Sequence, residues 1–324
     1  MRVSLIATVL NEEQSIDALL ASIAAQTRPP DEVVIVDGGS RDRTVARIRA
    51  WGDRIAGLRL ISCPGASIAV GRNRAIAAAT GDVIACTDAG VRLDPRWLER
   101  IIEPLARGAD VAMGFFVADP RTLFERALGA TTLPDVDEIV PDRFIPSSRS
   151  IAYTRRAWEI AGGYPEWLDY CEDVVFDLAL RRAGLRFAWV PGAVVYFRPR
   201  PSLAAFFRQY FLYARGDGKA NLWLHRHLIR YLTYLGAPLV FRLGFWYNPA
   251  WLALGLGGCL YLRRPYRRLI RAYGRRFDAR LGAALLLVPL LRLVGDLAKM
   301  LGYPVGVWWR LRGGGRCLTS SSLS

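Results

Sequence analysis

A few residues in this chain have the type and spacing to do chemistry. Asp88 closes the apolar run Asp82-Val-Ile-Ala-Cys-Thr-Asp88. A carboxylate at the tip of a buried strand is costly unless something binds it. Val34-Ile-Val-Asp37-Gly38-Gly-Ser40-Arg-Asp42 sets another acid at a strand tip, before two glycines and a helix start. That combination offers a carboxylate and free backbone N–H groups, which can hold a base or ribose and approach phosphates, or can serve as plain turn chemistry. Gly71-Arg72-Asn73-Arg74 rides a helix with two cations that could pair with a diphosphate or simply face solvent. Cys171-Glu172-Asp173 opens a helix-like stretch that closes at Gly184. Acids there suit a helix N-terminus and also supply proton acceptors.

The elements that must position these residues follow from the apolar pattern. Strand-like runs fall at 3–10, 32–37, 58–62, 82–87 and 110–117, and helix-like segments at 12–26, 41–51, 67–79 and 95–106. Asn11 reads as the N-cap of the first helix, with Glu12 and Glu13 in its first turn and Gln14 close to a capping box. The alternation predicts an α/β fold, a mostly parallel sheet covered on both faces. Ligands in such sheets bind at the carboxyl ends of strands, near a switch in strand order. That rule singles out Asn11 and Glu12, Asp37 to Asp42, and Asp88. Farther on, a strand is expected at 149–153, helices at 154–162 and 171–184, and two short strands at 185–190 and 193–197.

The net charge of +15 is unevenly spread. Residues 1–200 sum to −1 and residues 201–324 to +16. The basic part is also the apolar part, which reads as a membrane-surface signal rather than a nucleic-acid one. No nucleic-acid module pattern is visible. The five cysteines are odd in number and scattered, without metal-ligand spacing, so neither a disulfide framework nor a zinc site is expected, and a reducing cytosol fits. The N-terminus lacks the layout of a secretory signal.

Three ordered blocks, "TVLNEEQSIDALLASIAAQTRPPDEVVIVDGGSRDRT", "GRNRAIAAATGDVIACTDAGVRLDPRWLE" and "GGYPEWLDYCEDVVFDLALRRAG", resemble glycosyltransferase family 2, inverting enzymes with a GT-A fold. The resemblance implies a nucleoside-diphosphate sugar donor, a sugar acceptor and a divalent cation, Mg2+ or Mn2+. It implies a donor site built from Thr8, Asn11, Glu12, Asp37, Gly38, Ser40, Asp42, Gly71, Arg72, Asn73 and Asp88, with Glu12 and Asp37 on the nucleoside. Asp88 matches the first acid of the family's Asp-X-Asp metal motif, and Asp173, next to Glu172, matches its catalytic base. The chain departs from the pattern at Gly90, which stands where the second acid belongs, and at Tyr196, where many relatives carry a histidine. Magnesium keeps several waters and uses one or two carboxylates plus substrate phosphates, so Asp88 with a diphosphate is one way to hold it.

The expected organisation is a GT-A-like domain over 1–200, an interfacial linker over 201–227, membrane-associated helices over 228–312 with a basic loop at 263–280, and a disordered tail at 313–324. Residues 243–262 form a 20-residue stretch without a charge, about the length of a bilayer span. With the catalytic domain and the basic loop both cytosolic, a re-entrant or interfacial helical hairpin satisfies the parity of crossings. Arg149, Arg208, Arg215 and Lys219 are candidate contacts for a diphosphate or a lipid phosphate, and for the last three the alternative is simple anchoring of their helix to anionic headgroups. Gln209 is followed by Tyr-Phe-Leu-Tyr instead of the Gln-X-X-Arg-Trp of processive synthases, which favours single-sugar transfer. The reading is transfer of one sugar to a lipid-linked or cell-envelope glycan acceptor at the cytosolic face of the cytoplasmic membrane. The alternative is a non-catalytic membrane-bound nucleotide-sugar-binding protein.

Overall fold

The computed structural model describes residues 1–274 and 278–314. The chain begins β1 (Val3–Val9), α1 (Ile16–Ala24), β2 (Glu32–Asp37), α2 (Thr44–Arg49), β3 (Leu58–Ser62), α3 (Ile68–Ala78), β4 (Val83–Cys86), β5 (Val91–Leu93), α4 (Trp97–Ala106) and β6 (Val111–Ala118). It continues α5 (Leu123–Thr132), β7 (Ile151–Thr154), α6 (Arg155–Ile160), α7 (Glu172–Arg182) and β8 (Phe187–Phe197). Four helices follow, α8 (Leu203–Lys219), α9 (Leu224–Leu243), α10 (Pro249–Ala272) and α11 (Ala279–Trp309). Contacts divide the chain into two units, 1–119 with 136–198, and 120–135 with the residues after 198.

The first unit is an eight-stranded sheet in the order β3-β2-β1-β4-β7-β6-β8-β5. Strands β3, β2, β1 and β4 are parallel. The Val/Ile-rich sequences of β1, β2 and β4 are buried on both faces, as a covered parallel sheet requires. One core contains Leu5, Leu19, Ile35 and Trp97, the other Ile6, Val34, Ile76 and Tyr153. β7 then runs antiparallel to β4, β6 antiparallel to β7, β8 parallel to β6, and β5 antiparallel to β8. The sheet is therefore an α/β sheet with a parallel half and a mixed half.

Local differences from the sequence reading have physical reasons. Asn11 does not cap α1: it sits in the left-handed region at φ +55, whereas an N-cap is extended, and α1 begins four residues later behind Ser15. The strands expected at 185–190 and 193–197 are one strand, β8. Its pairing with β6 shifts register between Met113 and Phe115, so the Pro191-Gly192 step is absorbed as a bulge. The uncharged stretch 243–262 is not one helix, because α9 ends at Leu243 and α10 starts at Pro249. Residues 263–272 of the expected basic loop continue α10 as helix, in keeping with the good helix propensity of arginine.

In the second unit, α5, Phe206 of α8, Leu269 of α10 and Leu281, Val288 and Leu291 of α11 share a core. Residues 120–135, which the sequence reading runs continuously with the first domain, thus group with the C-terminal helices. α8 lies close along α11, where a side chain on Gly302 or Gly306 would run into the carbonyl oxygens of Phe211 and Arg215. The tail expected at 313–324 lies almost wholly outside the described residues.

Candidate active site

The sheet order dictates where the polar residues meet. β2, β1 and β4 are adjacent and parallel, so the segments after Asp37, Val9 and Cys86 emerge at one edge. β7 is antiparallel to β4 with Ile151 opposite Cys86, so the residues just before β7 return to that same edge. This register brings Arg149 beside Asp88, with the Thr87 hydroxyl donating to the Arg149 carbonyl at 3.0 Å.

The loops after β1 and β2 are laced together. The Asn11 N–H donates to Ser40 Oγ at 2.8 Å, and Asn11 Oδ1 accepts the Arg41 N–H at 2.9 Å. The Glu12 N–H donates to Thr44 Oγ1, and the Glu13 N–H to the Asp42 carboxylate. Asp37 is 3% exposed, and its carboxylate accepts the N–H groups of Gly39 and Ser40. These acids first fold the loop pair, and the loop pair then frames the strand edge. Gly71 lets α3 seat against β1, since a Cβ there would stand 2.7 Å from Thr8 Cγ2. Asn73 faces the 158–166 segment, giving hydrogen bonds to the Tyr164 carbonyl and Glu166 and accepting from the Tyr164 N–H and Trp158 Nε1.

Arg72 is the centre of the site. It is 1% exposed. Nη2 donates to Asp88 Oδ1 at 2.6 Å and Nη1 to Glu172 Oε1 at 2.7 Å, and the guanidinium lies 5.1 Å over the Tyr164 ring. One side chain thereby ties α3, the end of β4 and the start of α7. Arg149 approaches the other oxygen of Asp88, Nε to Oδ2 at 3.6 Å, and its guanidinium packs over the Phe197 ring at 4.7 Å. The start of α7 is aimed by Cys171, a non-glycine residue held at φ +65. Burial raises the Glu172 carboxyl to about 7, the neighbouring Asp173 charge adds to this, and Arg72 opposes it. Asp173, half-buried, stands next to this pair.

Several contributors were not singled out by sequence. Tyr164 is buried beneath Arg72, stacked on Phe176 at 4.2 Å, with its hydroxyl 3.0 Å from Ser148. Asp177, one turn after Asp173, is 1% exposed and has no hydrogen-bond partner among the described residues. Burial, then the Asp173 charge, holds its carboxyl well above the usual range. The i, i+4 spacing from Asp173 was its only sequence signal. Cys86 is excluded as a nucleophile, because burial pushes its thiol up to about 12. Tyr196 stacks with Arg92, 4.1 Å from guanidinium carbon to ring centroid. Arg208, Arg215 and Lys219 lie on α8 of the second unit, where the Lys219 ammonium sits 4.8 Å over Trp309. A cavity of about 460 Å³ opens at the opposite strand ends, beside Asp82, Asp110 and Arg186, away from Asp88.

An acidic and arginine-rich edge of a parallel sheet, with a carboxylate pair at a helix start, suits transfer from a phosphate-bearing donor. Residues 4–158 match glycosyl transferase family 2. The chain is a glycosyltransferase carrying a family 2 domain. It is 25% identical over 251 residues to glycosyltransferase AglE of Haloferax volcanii, a match covering 75% of this chain and 79% of the relative. It is 32% identical over 120 residues to an undecaprenyl-phosphate 4-deoxy-4-formamido-L-arabinose transferase of Pseudomonas paraeruginosa, covering 34% of each. Among solved structures, the mannosyltransferase PcManGT of Pyrobaculum calidifontis, in complex with GDP-Man and Mn2+, superposes with a TM-score of 0.55 at 22% identity. That superposition covers 96% of this chain and 87% of the other, and bears out the GT-A fold.

The residues of this transferase fit a divalent cation poorly. Gly90 supplies no carboxylate, and its φ of +78 is a conformation that disfavours an L side chain. A Cβ there would lie 3.6 Å from a Glu12 carboxylate oxygen, so an acid at 90 would meet another acid. Each oxygen of Asp88 already faces a guanidinium. A positive charge 4 Å from a guanidinium is repelled by about 4 kcal/mol per unit charge at an effective dielectric of 20. No cluster of three or more His, Cys, Asp or Glu side chains able to hold a metal occurs among the described residues.

Proposed function

We propose that this glycosyltransferase moves a single sugar, with inversion, from a nucleoside-diphosphate sugar to a lipid-linked or cell-envelope glycan acceptor at the cytosolic face of the cytoplasmic membrane. The observation that carries the reading is the Asp88–Arg72–Glu172 cluster at the carboxyl edge of β4, with Asp173 beside it. The nucleoside rests on the loops after β1 and β2, near Glu12 and Asp37. The diphosphate lies toward Asp88 and the arginines. The acceptor hydroxyl attacks the sugar C1 from the face opposite the diphosphate. A C1–O bond to the acceptor forms as the C1–O bond to the diphosphate breaks, and that electron pair leaves on the diphosphate oxygen. The hydroxyl proton passes to the Asp173 carboxylate, because an alcohol is a poor nucleophile until a positioned base takes its proton.

Membrane residence is supported by the second unit. α11 and the turn after it, Ala279–Gly313, are long enough to cross a bilayer and contain an 18-residue window with a mean hydropathy of 1.9. α9, α10 and the turn between them expose Leu232, Leu235, Leu239, Phe245, Trp246, Leu252 and Leu256. Arginines at 263, 264, 267, 268 and 271 follow, and a basic collar of this kind attracts anionic headgroups. Arg208, Arg215 and Lys219 remain candidate contacts for a lipid or donor phosphate. The arabinose transferase relative acts, by its name, on undecaprenyl phosphate, which supports a lipid-linked acceptor class.

The test is a panel of nucleoside-diphosphate sugars incubated with purified, detergent-solubilised protein and membrane-lipid extract, reading released nucleoside diphosphate. One donor is expected to be turned over, and Asp173→Asn is expected to lower that turnover by about 10²–10⁴ while leaving donor binding intact. Turnover by Asp173→Asn at the wild-type rate would refute the base assignment.

A further inference from the structure

We infer that Arg149 takes the leaving-group charge that a divalent cation carries elsewhere, with Asp88 and Arg72 as its positioning residues, so that transfer proceeds without a metal ion. This rests on reading the Asp88 edge as the donor diphosphate site.

Asp88 stands at the strand end where a metal-binding acid would be, yet its carboxylate is spent. Oδ1 accepts from Arg72 at 2.6 Å, and Oδ2 faces Arg149 Nε at 3.6 Å. Arg72 is wholly buried, and its two terminal nitrogens are divided between Asp88 and Glu172, so it orders the site rather than reaching a substrate. Arg149 differs. Its side chain is 20% exposed, it touches Asp88 by the longer contact, and its Nη1 donates to Ser147 Oγ at 3.2 Å. Phe197 and Phe116 lie against its guanidinium at 4.7 and 5.8 Å and hold it at the mouth of the cluster. A planar guanidinium presents several N–H donors and binds diphosphate oxygens as well as carboxylates. Charge placed in advance where the diphosphate oxygen gains its electron pair lowers the barrier as a cation does. Gly90 agrees with this arrangement. The second acid would add a negative charge beside Glu12, in a backbone conformation that a side chain strains. Without it, the edge carries one negative charge fewer for a leaving diphosphate to meet.

The experiment measures binding of UDP and GDP, and turnover of the active donor, in chelator and in Mn2+, for the wild type, Arg149→Gln and Arg149→Lys. Thermal melts confirm folding of each variant. The wild type is expected to bind nucleoside diphosphate and turn over within about twofold of equal rates in chelator and in Mn2+. Arg149→Gln is expected to weaken diphosphate binding about tenfold and to lower turnover about 10²-fold or more. Arg149→Lys, which keeps the charge but loses the fork, is expected to recover part of both. Wild-type binding or turnover that chelator abolishes and Mn2+ restores would overturn the inference. So would an Arg149→Gln variant that binds and turns over like the wild type, while the donor-site reading would stand. Failure of the wild type to bind any nucleoside diphosphate, with or without metal, would instead remove the donor-site reading and this inference with it.

Discussion

At the scale of single residues, two buried glutamates carry opposite pH signatures. The folded-state carboxyl of Glu172 lies at about 7, above its ordinary 4.5, because burial and then the Asp173 charge disfavour its ionised form. Its favourable contribution is present below pH 4.5 and is lost as pH rises through 4.5 to about 7. The shift corresponds to roughly 3 kcal/mol. Glu172→Gln is therefore expected to flatten the fall in stability across that window, read as denaturant midpoints at several pH values. A wild-type profile that Glu172→Gln leaves unchanged would contradict the assignment. Glu32 behaves the other way. Burial acts to raise its carboxyl, but hydrogen bonds from Ser4 and Thr80 and the charge of Arg59 lower it to about 2. Its contribution is present above pH 4.5 and is lost as pH falls through 4.5 toward 2. Glu32→Gln is thus expected to reduce acid sensitivity below pH 4.5 at the expense of stability at neutral pH.

At the scale of elements, glycine decides how closely helices approach. α8 and α11 meet where Gly302 and Gly306 face the backbone of Phe211 and Arg215, and Gly218 faces Tyr303. In an exposed helix, Gly→Ala stabilises by about 1 kcal/mol. At Gly306 the added methyl would enter a carbonyl oxygen, so overpacking dominates, at about 1–3 kcal/mol. Gly306→Ala is expected to lower the melting temperature of the full chain, while Gly282→Ala, with open space around its Cβ position, is expected to leave it unchanged or raise it. Equal melting temperatures for Gly306→Ala and the wild type would show that the helices can part without cost. In the first unit, Gly71 serves the same end between α3 and β1, and Arg72 on the next residue depends on that seating.

At the scale of the whole molecule, the charge splits between a near-neutral first part and a tail of +16, and the proposed membrane residence draws on that split. Phe245, Trp246 and Tyr247, at the turn between α9 and α10, are each more than half exposed. Trp246 and Tyr247, each an apolar ring with one polar end, suit the headgroup layer, and Phe245 adds apolar surface beside them. The full chain is expected to float with vesicles containing anionic lipid, and more weakly at high salt, since the arginine contribution is screened. A Phe245→Ser/Trp246→Ser double variant is expected to weaken flotation. Recovery of the wild type wholly in the lipid-free fraction would refute membrane residence.

The sequence by itself determined the parallel half of the sheet. Buried strands between amphipathic helices leave a period that only such a sheet satisfies, and β1 to β4 lie within a residue or two of their expected bounds. It also determined that Asp37 and Asp88 sit at strand ends, because the apolar runs stop there. Tertiary structure decided what those acids touch. Nothing local brings Arg149 to Asp88, 61 positions earlier in the chain. The antiparallel register of β7 against β4 does so. The 100-residue separation between Arg72 and Glu172 is closed in the same way, by α3 and α7 meeting over Tyr164. The capping reading at Asn11 failed because its side chain bonds to Arg41 on another loop, and a long-range partner leaves no local signal. Strand and helix identity are written in spacing along the chain. The state of Asp88, bound by two guanidinium groups, is written only in which strand ends share an edge.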